Sequence, residues 1–371
     1  MLTETETRAA VSVPEATAQT LVSHPYRFLG SYRLLLALLV LTSHASGYLG
    51  PFIGGLQLGN VGVMLFFVVS GAVIAEALDI FYRTSSRRFL VNRFLKIFPA
   101  YWAALAVYYA VFLMSDPEAV RGELWPIVVN VSLLLSYLPS GNNLLLIDIA
   151  WAVMVELQFY LIIATVYFFA RRTPAPGVII YAAGAAALAF YIYVDAAEGF
   201  TRFYGMFRFA PYFVLGAALY YVYLRRDPRV TLLAAVAAGL SFHAYFLYVV
   251  RAVVLQFPWG GAFGIPGDHI ATTVLFGVGL AMFCWLLTAT FPRRAEQLDK
   301  RLGDITYAIY LIHPAVILVA INLQLESRFG GPPAYMFVLV VSSLIAMVIF
   351  RVVERPVMKL RNLFRGRRLY D

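Results

Sequence analysis

Apolar stretches close to the length of a lipid bilayer recur from Leu34 to Phe350, and this spacing constrains the fold more than any other feature of the chain. About 20 apolar residues are needed to cross a hydrocarbon core as an α-helix, and inside it only a helix or a closed barrel satisfies its own backbone. The stretches fall at 31–49, 60–78, 97–114, 147–170, 178–194, 207–224, 230–250, 270–291, 305–323 and 335–351. With 61% of its 371 residues hydrophobic and only 13% charged, the chain reads as an all-α polytopic membrane protein of about ten transmembrane helices. A further apolar piece at 125–138 is short for a span and carries Asn130, Ser132 and Ser136, so it reads as a re-entrant or interfacial segment.

Charge decides the topology. If 125–138 does not cross, all but five of the 29 lysines and arginines fall on one side, together with both termini. The five on the other side are Arg121, Arg202, Arg208, Arg251 and Arg328. The positive-inside rule makes the crowded side cytoplasmic, and an inner, plasma-membrane location in a bacterium is expected. Residues 1–28 are polar, without apolar periodicity, and read as a disordered cytoplasmic tail. Residues 29–356 form one membrane domain, and 357–371 a basic cytoplasmic tail. The net charge of +9 is spread over loop clusters of the topogenic kind, so nucleic acid is not an expected partner. The single cysteine, Cys284, excludes an intramolecular disulfide, and no Cys/His spacing implies a metal.

Against this background an arginine and a histidine in the first span stand out. Arg33 and His44 are eleven residues apart, about three helical turns, which puts them on one face roughly 16 Å apart along the axis. Arg33 falls near a membrane surface and His44 deep. Ionisable groups in a span usually face a bundle interior or a water-filled cavity. Plainer readings stand beside this one: Arg33 as a flank anchor, His44 as a hydrogen-bonded packing residue, or 34–47 as a signal peptide. The roughly thirty polar and mixed residues ahead of the apolar core argue against the last.

The R-x10-H spacing resembles the first-helix signature of the membrane-bound acyltransferase-3 family, and five further stretches agree in order. Gly62-Val63 with Leu65-Phe66-Phe67-Val68-Val69-Ser70-Gly71 resembles its GV-x-LFFV-x-SG helix. Arg93, Lys96, Pro99 and Tyr101 resemble R-x-x-R-x-x-P-x-Y. Trp151, Glu156, Phe159 and Tyr160 are similar to W-x4-E-x2-FY. Gly303, Thr306, Tyr307, Tyr310, Leu311, His313 and Pro314 are similar to G-x2-[ST]Y-x2-YL-x-HP, and Glu354 to Pro356 to a closing E-x-P. Together they cover the chain from about 30 to 356. Lys96 departs from the pattern by replacing a bidentate fork with a point charge, and Met64 and Ala72 depart as well. The resemblance implies an enzyme that moves an acyl group, most often acetyl, from cytosolic acyl-coenzyme A to a hydroxyl of a cell-surface or exported glycan or glycolipid. Acetyl-coenzyme A would be a co-substrate, with no permanently bound cofactor. Some members of the family acylate macrolides or other small hydroxylated molecules instead.

That chemistry needs a base for the hydroxyl proton, donors for the oxyanion and a grip on the nucleotide. A thiolate leaving group asks for little acid help, so one base carries most of the proton work. His44 suits that role or that of an acyl-accepting nucleophile. Arg33 could attract phosphates or polarise the thioester. Glu156, placed by its span at a similar depth, could meet His44, with Tyr160 one turn on; an interhelical packing bond is the plainer reading. Arg88, Arg93 and Lys96 form a basic stretch suited to coenzyme A phosphates, although positive-inside flanking also accounts for such charges. His313 lies embedded, and Pro314 removes the amide that would bond the Tyr310 carbonyl, so the pair marks either a kink or a site. Trp151, Tyr310 and Ser70 support the site through the motifs. The outer stretch 257–268 has aromatics for a sugar or for interfacial anchoring. A proton-coupled transporter or flippase built on His44, Glu156 and His313 is the alternative from another class; it would call for internal repeats, and none is visible.

Overall fold

The structure is a computed structural model, and it describes residues 28–50, 53–54, 56–82, 85–115, 124–133, 145–198, 206–245, 268–289 and 291–364. Arg121, Arg202, Arg251, the outer stretch 257–268 up to residue 267, the N-terminal tail and the last residues of the basic tail lie outside the described residues.

All regular structure among the described residues is helical. Among the described residues seven helices are long and apolar enough to cross a membrane. They are α2 (Leu58–Glu76), α3 (Ser86–Ser115), α5 (Ala150–Ala170), α6 (Pro176–Glu198), α9 (Asp268–Thr288), α10 (Arg293–Asn322) and α12 (Gly331–Ile349). The remaining three expected spans are also helical but shorter. These are α1 (Leu29–His44), α7 (Ala210–Tyr223) and α8 (Thr231–Tyr245), with 16, 14 and 15 residues. The piece expected at 125–138 contains the nine-residue helix α4 (Leu124–Ser132), at about 1.5 Å per residue far too short to cross. Two further short α-helices among the described residues are α11 (Leu325–Phe329) and α13 (Arg355–Phe364).

Contacts between helix ends show how the bundle alternates. Asp299 near the start of α10 meets the start of α1, Arg171 after α5 reaches the Tyr82 carbonyl ahead of α3, and Arg225 after α7 pairs with Asp79 after α2. Asn92 in α3 bonds the Arg361 carbonyl of α13. These ends make one face, rich in Lys and Arg, called here the basic face. At the opposite end Thr42 bonds Tyr335 near the start of α12, and Ser115 bonds Asn322.

Helix α2 is the centre of the bundle, buried on nearly every side. Without a hydrophobic drive between helices in lipid, small residues that let backbones approach decide which helices touch. A Cβ on Gly71 would collide with the Phe213 carbonyl of α7, and one on Gly216 with the Val68 carbonyl of α2, so these helices meet backbone to backbone. The approach stacks Phe213 on Phe67 and Phe159, at 4.9 and 3.9 Å between ring centroids. Helix α1 is held by α10 in a similar way. It has no side-chain cap of its own, and Asp299 supplies one from another helix: its carboxylate accepts from the Gly30 and Ser31 amides at 2.9 and 2.5 Å. A carboxylate at a helix N-terminus satisfies orphan amides and complements the dipole.

Candidate active site

Between α1, α2, α3, α5, α10 and α13, toward the basic face, lies a cavity of about 660 Å³. This is ample for a cofactor-sized ligand, for which sites of roughly 300–1,000 Å³ are usual. Its wall brings together Arg33, Arg93 and Lys96 with Ser70, Glu156, Tyr160 and Tyr310, which the sequence places on five different helices. Gly303 makes room for this: an added Cβ there would meet the Gly30 backbone at 2.7 Å and the Arg33 guanidinium at 3.0 Å. The first glycine of the G-x2-[ST]Y stretch thus lets Arg33 fold between α1 and α10.

Glu156 is the polar centre of the cavity. One of its carboxylate oxygens accepts from the Ser70 hydroxyl at 2.8 Å and from the Tyr160 hydroxyl one turn on. Arg33 and Lys96 both feel its charge. The Arg93 guanidinium lies over the rings of Phe89 and Tyr160, with 5.1 and 5.3 Å to the centroids. Such cation–π seating holds a cation in an aromatic pocket without neutralising it.

His44 does not line this cavity, and neither does His313. Phe66 and Tyr310 form part of the cavity wall, and their rings meet edge to face at 6.2 Å. Tyr310 is fixed by donating its hydroxyl to the Ile149 carbonyl at 2.8 Å. On its other side, 6.2 Å away, is the ring of His313. His313 Nε2 in turn stands 3.3 Å from His44 Nδ1.

The two histidines form a chain with a readable direction. Carbonyl oxygens only accept, so a ring nitrogen facing one carries the proton. His313 Nδ1 faces the Ile309 carbonyl at 3.2 Å, and the Tyr310 carbonyl, whose helical amide Pro314 removes, is within reach of the same ring. Its Nε2 is then an acceptor. His44 Nδ1 faces the Val40 carbonyl at 2.9 Å and His313 Nε2, so it donates and leaves His44 Nε2 with a free lone pair. His313 is fully buried whereas His44 is exposed at the last residue of α1.

Glu156 does not meet His44: α1 ends at His44, which puts the imidazole at the helix rim, while Glu156 sits six residues, about 9 Å, inside α5. Arg88 is exposed away from the cavity, its amide bonding Ser85 Oγ. Trp151 packs on Phe67 and Phe209 and does not line the cavity. Asn92, Lys300, Asp304, Glu354, Met358 and Arg361 line it without having been singled out for a site. Glu354 opens the E-x-P stretch, a signal that could have found it. Arg361 sits in the basic tail expected from 357, which continues as helix α13 to Phe364.

The family model for the acyltransferase-3 acyltransferase domain matches residues 27–352. The chain belongs to this family. A curated relative, the exopolysaccharide production protein ExoZ of Rhizobium meliloti (strain 1021), is 26% identical over 331 residues, covering 81% of this chain and 90% of that protein. No solved structure matches the chain. Family membership and the seven apolar helices make this an integral membrane acyltransferase.

Proposed function

We propose that the protein moves an acyl group, acetyl in the simplest case, from cytosolic acyl-coenzyme A to a hydroxyl of an exopolysaccharide or its lipid-linked precursor. The observation that carries this reading is the division of the polar groups into two sites on the two sides of Tyr310. The cationic cavity opens toward the basic face, which the positive-inside rule makes cytoplasmic, the compartment of coenzyme A. His44 stands toward the other face, where an exported glycan is found. The relative ExoZ, an exopolysaccharide production protein, supports the acceptor class.

Arg93 and Lys96 take the phosphates by charge-assisted contacts, and the thin pantetheine arm points inward past Arg33. The thioester reaches His44 when the Phe66 and Tyr310 rings part. His44 Nε2 then accepts the proton of the acceptor hydroxyl as its oxygen attacks the carbonyl carbon. The C–S bond breaks, coenzyme A leaves as thiolate and the proton returns to solvent or to the thiolate. An acyl group carried on His44 itself is the second route through the same groups.

The test is transfer from labelled acetyl-coenzyme A to a polysaccharide acceptor by purified wild type, His44→Ala and His44→Gln. Removal of a general base costs about 10² to 10⁴ in rate. Both variants are expected to fall by that much with donor binding and thermal stability retained. Undiminished turnover by well-folded His44→Ala would end the proposal, and a labelled acyl group trapped on wild-type His44 would select the covalent route.

A further inference from the structure

Helix α13 closes the mouth of the cavity with a face the proposed reaction has not yet used. Met358, Arg361 and Asn362 line the cavity, continuing the wall that Glu354 begins one turn earlier. The helix is strongly amphipathic, with Leu360 and Leu363 exposed on its other side. Asn92 of α3 fixes its position twice, donating to the Arg361 carbonyl at 3.1 Å and accepting from the Arg361 guanidinium at 3.4 Å. Arg361 is therefore held at the level of Asn92 and Arg93, one turn of α3 nearer the basic face than Lys96.

Two features of this arrangement lack a structural reason. Nε of Arg93 and Nε of Arg361 are both buried and neither makes a hydrogen bond among the described residues. A buried donor left unmade is costly. In addition the two guanidinium charges act on each other across the cavity. Like charges brought together away from bulk water are unfavourable; Glu354 offsets part of the Arg361 charge but leaves both Nε donors unmade, so the pair still has room for an anion of its own.

We infer that Arg361 of α13 and Arg93 of α3 together grip one terminal phosphate of the donor, the 3′-phosphate of coenzyme A, at the cavity mouth. The assignment follows from order along α3 and rests on the acyl-coenzyme A reading above. Glu156 lies only six residues from the outer end of α5 and is the deep polar group, Lys96 lies ten residues into α3 from the basic face, and Arg93, with Arg361 beside Asn92, lies a turn nearer to that face. A donor entering thiol first puts the end of pantetheine beside Glu156 and the pyrophosphate beside Lys96. Its 3′-phosphate then falls between the two arginines. Two forks around one phosphate give a directional clamp that a lysine could not.

The experiment compares coenzyme A with dephospho-coenzyme A, which lacks only that phosphate, on the full-length protein in lipid nanodiscs. Wild type is expected to bind coenzyme A about ten- to a hundredfold more tightly, the value of a charge-assisted contact. Arg361→Gln and Arg361→Ala should lose most of that preference while their affinity for dephospho-coenzyme A stays within about twofold. Their unliganded melting temperature should stay close to that of wild type, because the repulsion from Arg93 is removed together with the bond to Asn92 and the attraction of Glu354. A merely structural arginine would behave in the opposite way, lowering stability and weakening both ligands alike. Arg361→Lys, which keeps the charge but not the fork, should retain part of the preference and guards against loss of fold. If wild type binds neither nucleotide, the donor reading fails and this inference with it. If wild type prefers coenzyme A and Arg361→Gln keeps the whole preference, only the role of Arg361 is overturned.

Discussion

His313 stands against His44, Nε2 to Nδ1 at 3.3 Å, although 269 residues separate them in the chain. A His–carboxylate pair would fix the imidazole by charge; here a second neutral ring, anchored on the Ile309 carbonyl, does so by geometry. His44 already has the Val40 carbonyl as an acceptor for the same N–H, so His313 refines an orientation that the end of α1 begins.

His313→Leu should therefore reduce turnover modestly, by about two- to tenfold, the worth of one neutral hydrogen bond. His313→Gln places an amide oxygen where Nε2 accepted and should recover part of that loss. Steady-state kinetics of both variants at matched thermal stability make the comparison. Equal losses in the two would mean that His313 contributes packing alone.

How much of this was legible in the sequence differs between spacing and contact. The apolar runs place each helix because every span must satisfy its own backbone, and Gly71 and Gly303 stand in motif positions whose close approaches the structure explains. Pairings across helices leave no such trace. Nothing local tells that Asp299 caps α1, that Tyr310 separates Arg33 from His44, or that Arg361 in a basic tail turns into the cavity. Glu156 bonds Ser70 of α2 and Tyr160, which matches the interhelical bond that the sequence allowed beside a meeting with His44. Apolar residues continue to Leu49, but the helix stops at His44, and a 3₁₀ turn at Ser46–Tyr48 follows.

The orientation of the basic face is open to a direct measurement. With Cys284→Ser as background, a cysteine replacing Asp227, in the loop between α7 and α8, is expected to react with a membrane-impermeant thiol reagent only after cells are opened. One replacing Ser327, in α11 between α10 and α12, should react in intact cells. Reversed labelling would place the cavity on the wrong side for cytosolic coenzyme A.

Arg93 separates donor binding from acceptor binding. Its guanidinium is buried, seated on Phe89 and Tyr160, and lines the cavity that His44 does not touch. Arg93→Ala should raise the KM for acetyl-coenzyme A about ten- to a hundredfold and leave the acceptor KM within a factor of about two. Parallel increases in both constants would show that the two sites are one.

Glu156 permits a separation of shape from charge. Its carboxylate accepts from Ser70 and Tyr160, so Glu156→Ala leaves two donors unpaired and should destabilise the protein by about 1–3 kcal/mol. Glu156→Gln still offers an amide oxygen to both donors and should melt close to wild type. What the amide removes is the negative charge that acts on Arg33 and Lys96. The cavity then becomes more cationic, so coenzyme A should bind as well as before or more tightly, while Arg33 keeps Asp304 and loses one of the carboxylates that balance it. Turnover of Glu156→Gln is accordingly expected to fall at least about tenfold against an unchanged or lower donor Kd, the pattern of a group that acts in the transition state and not in binding. Full turnover in Glu156→Gln would reduce Glu156 to a packing bond between α2 and α5, and a loss of donor affinity would assign its charge to the wrong step.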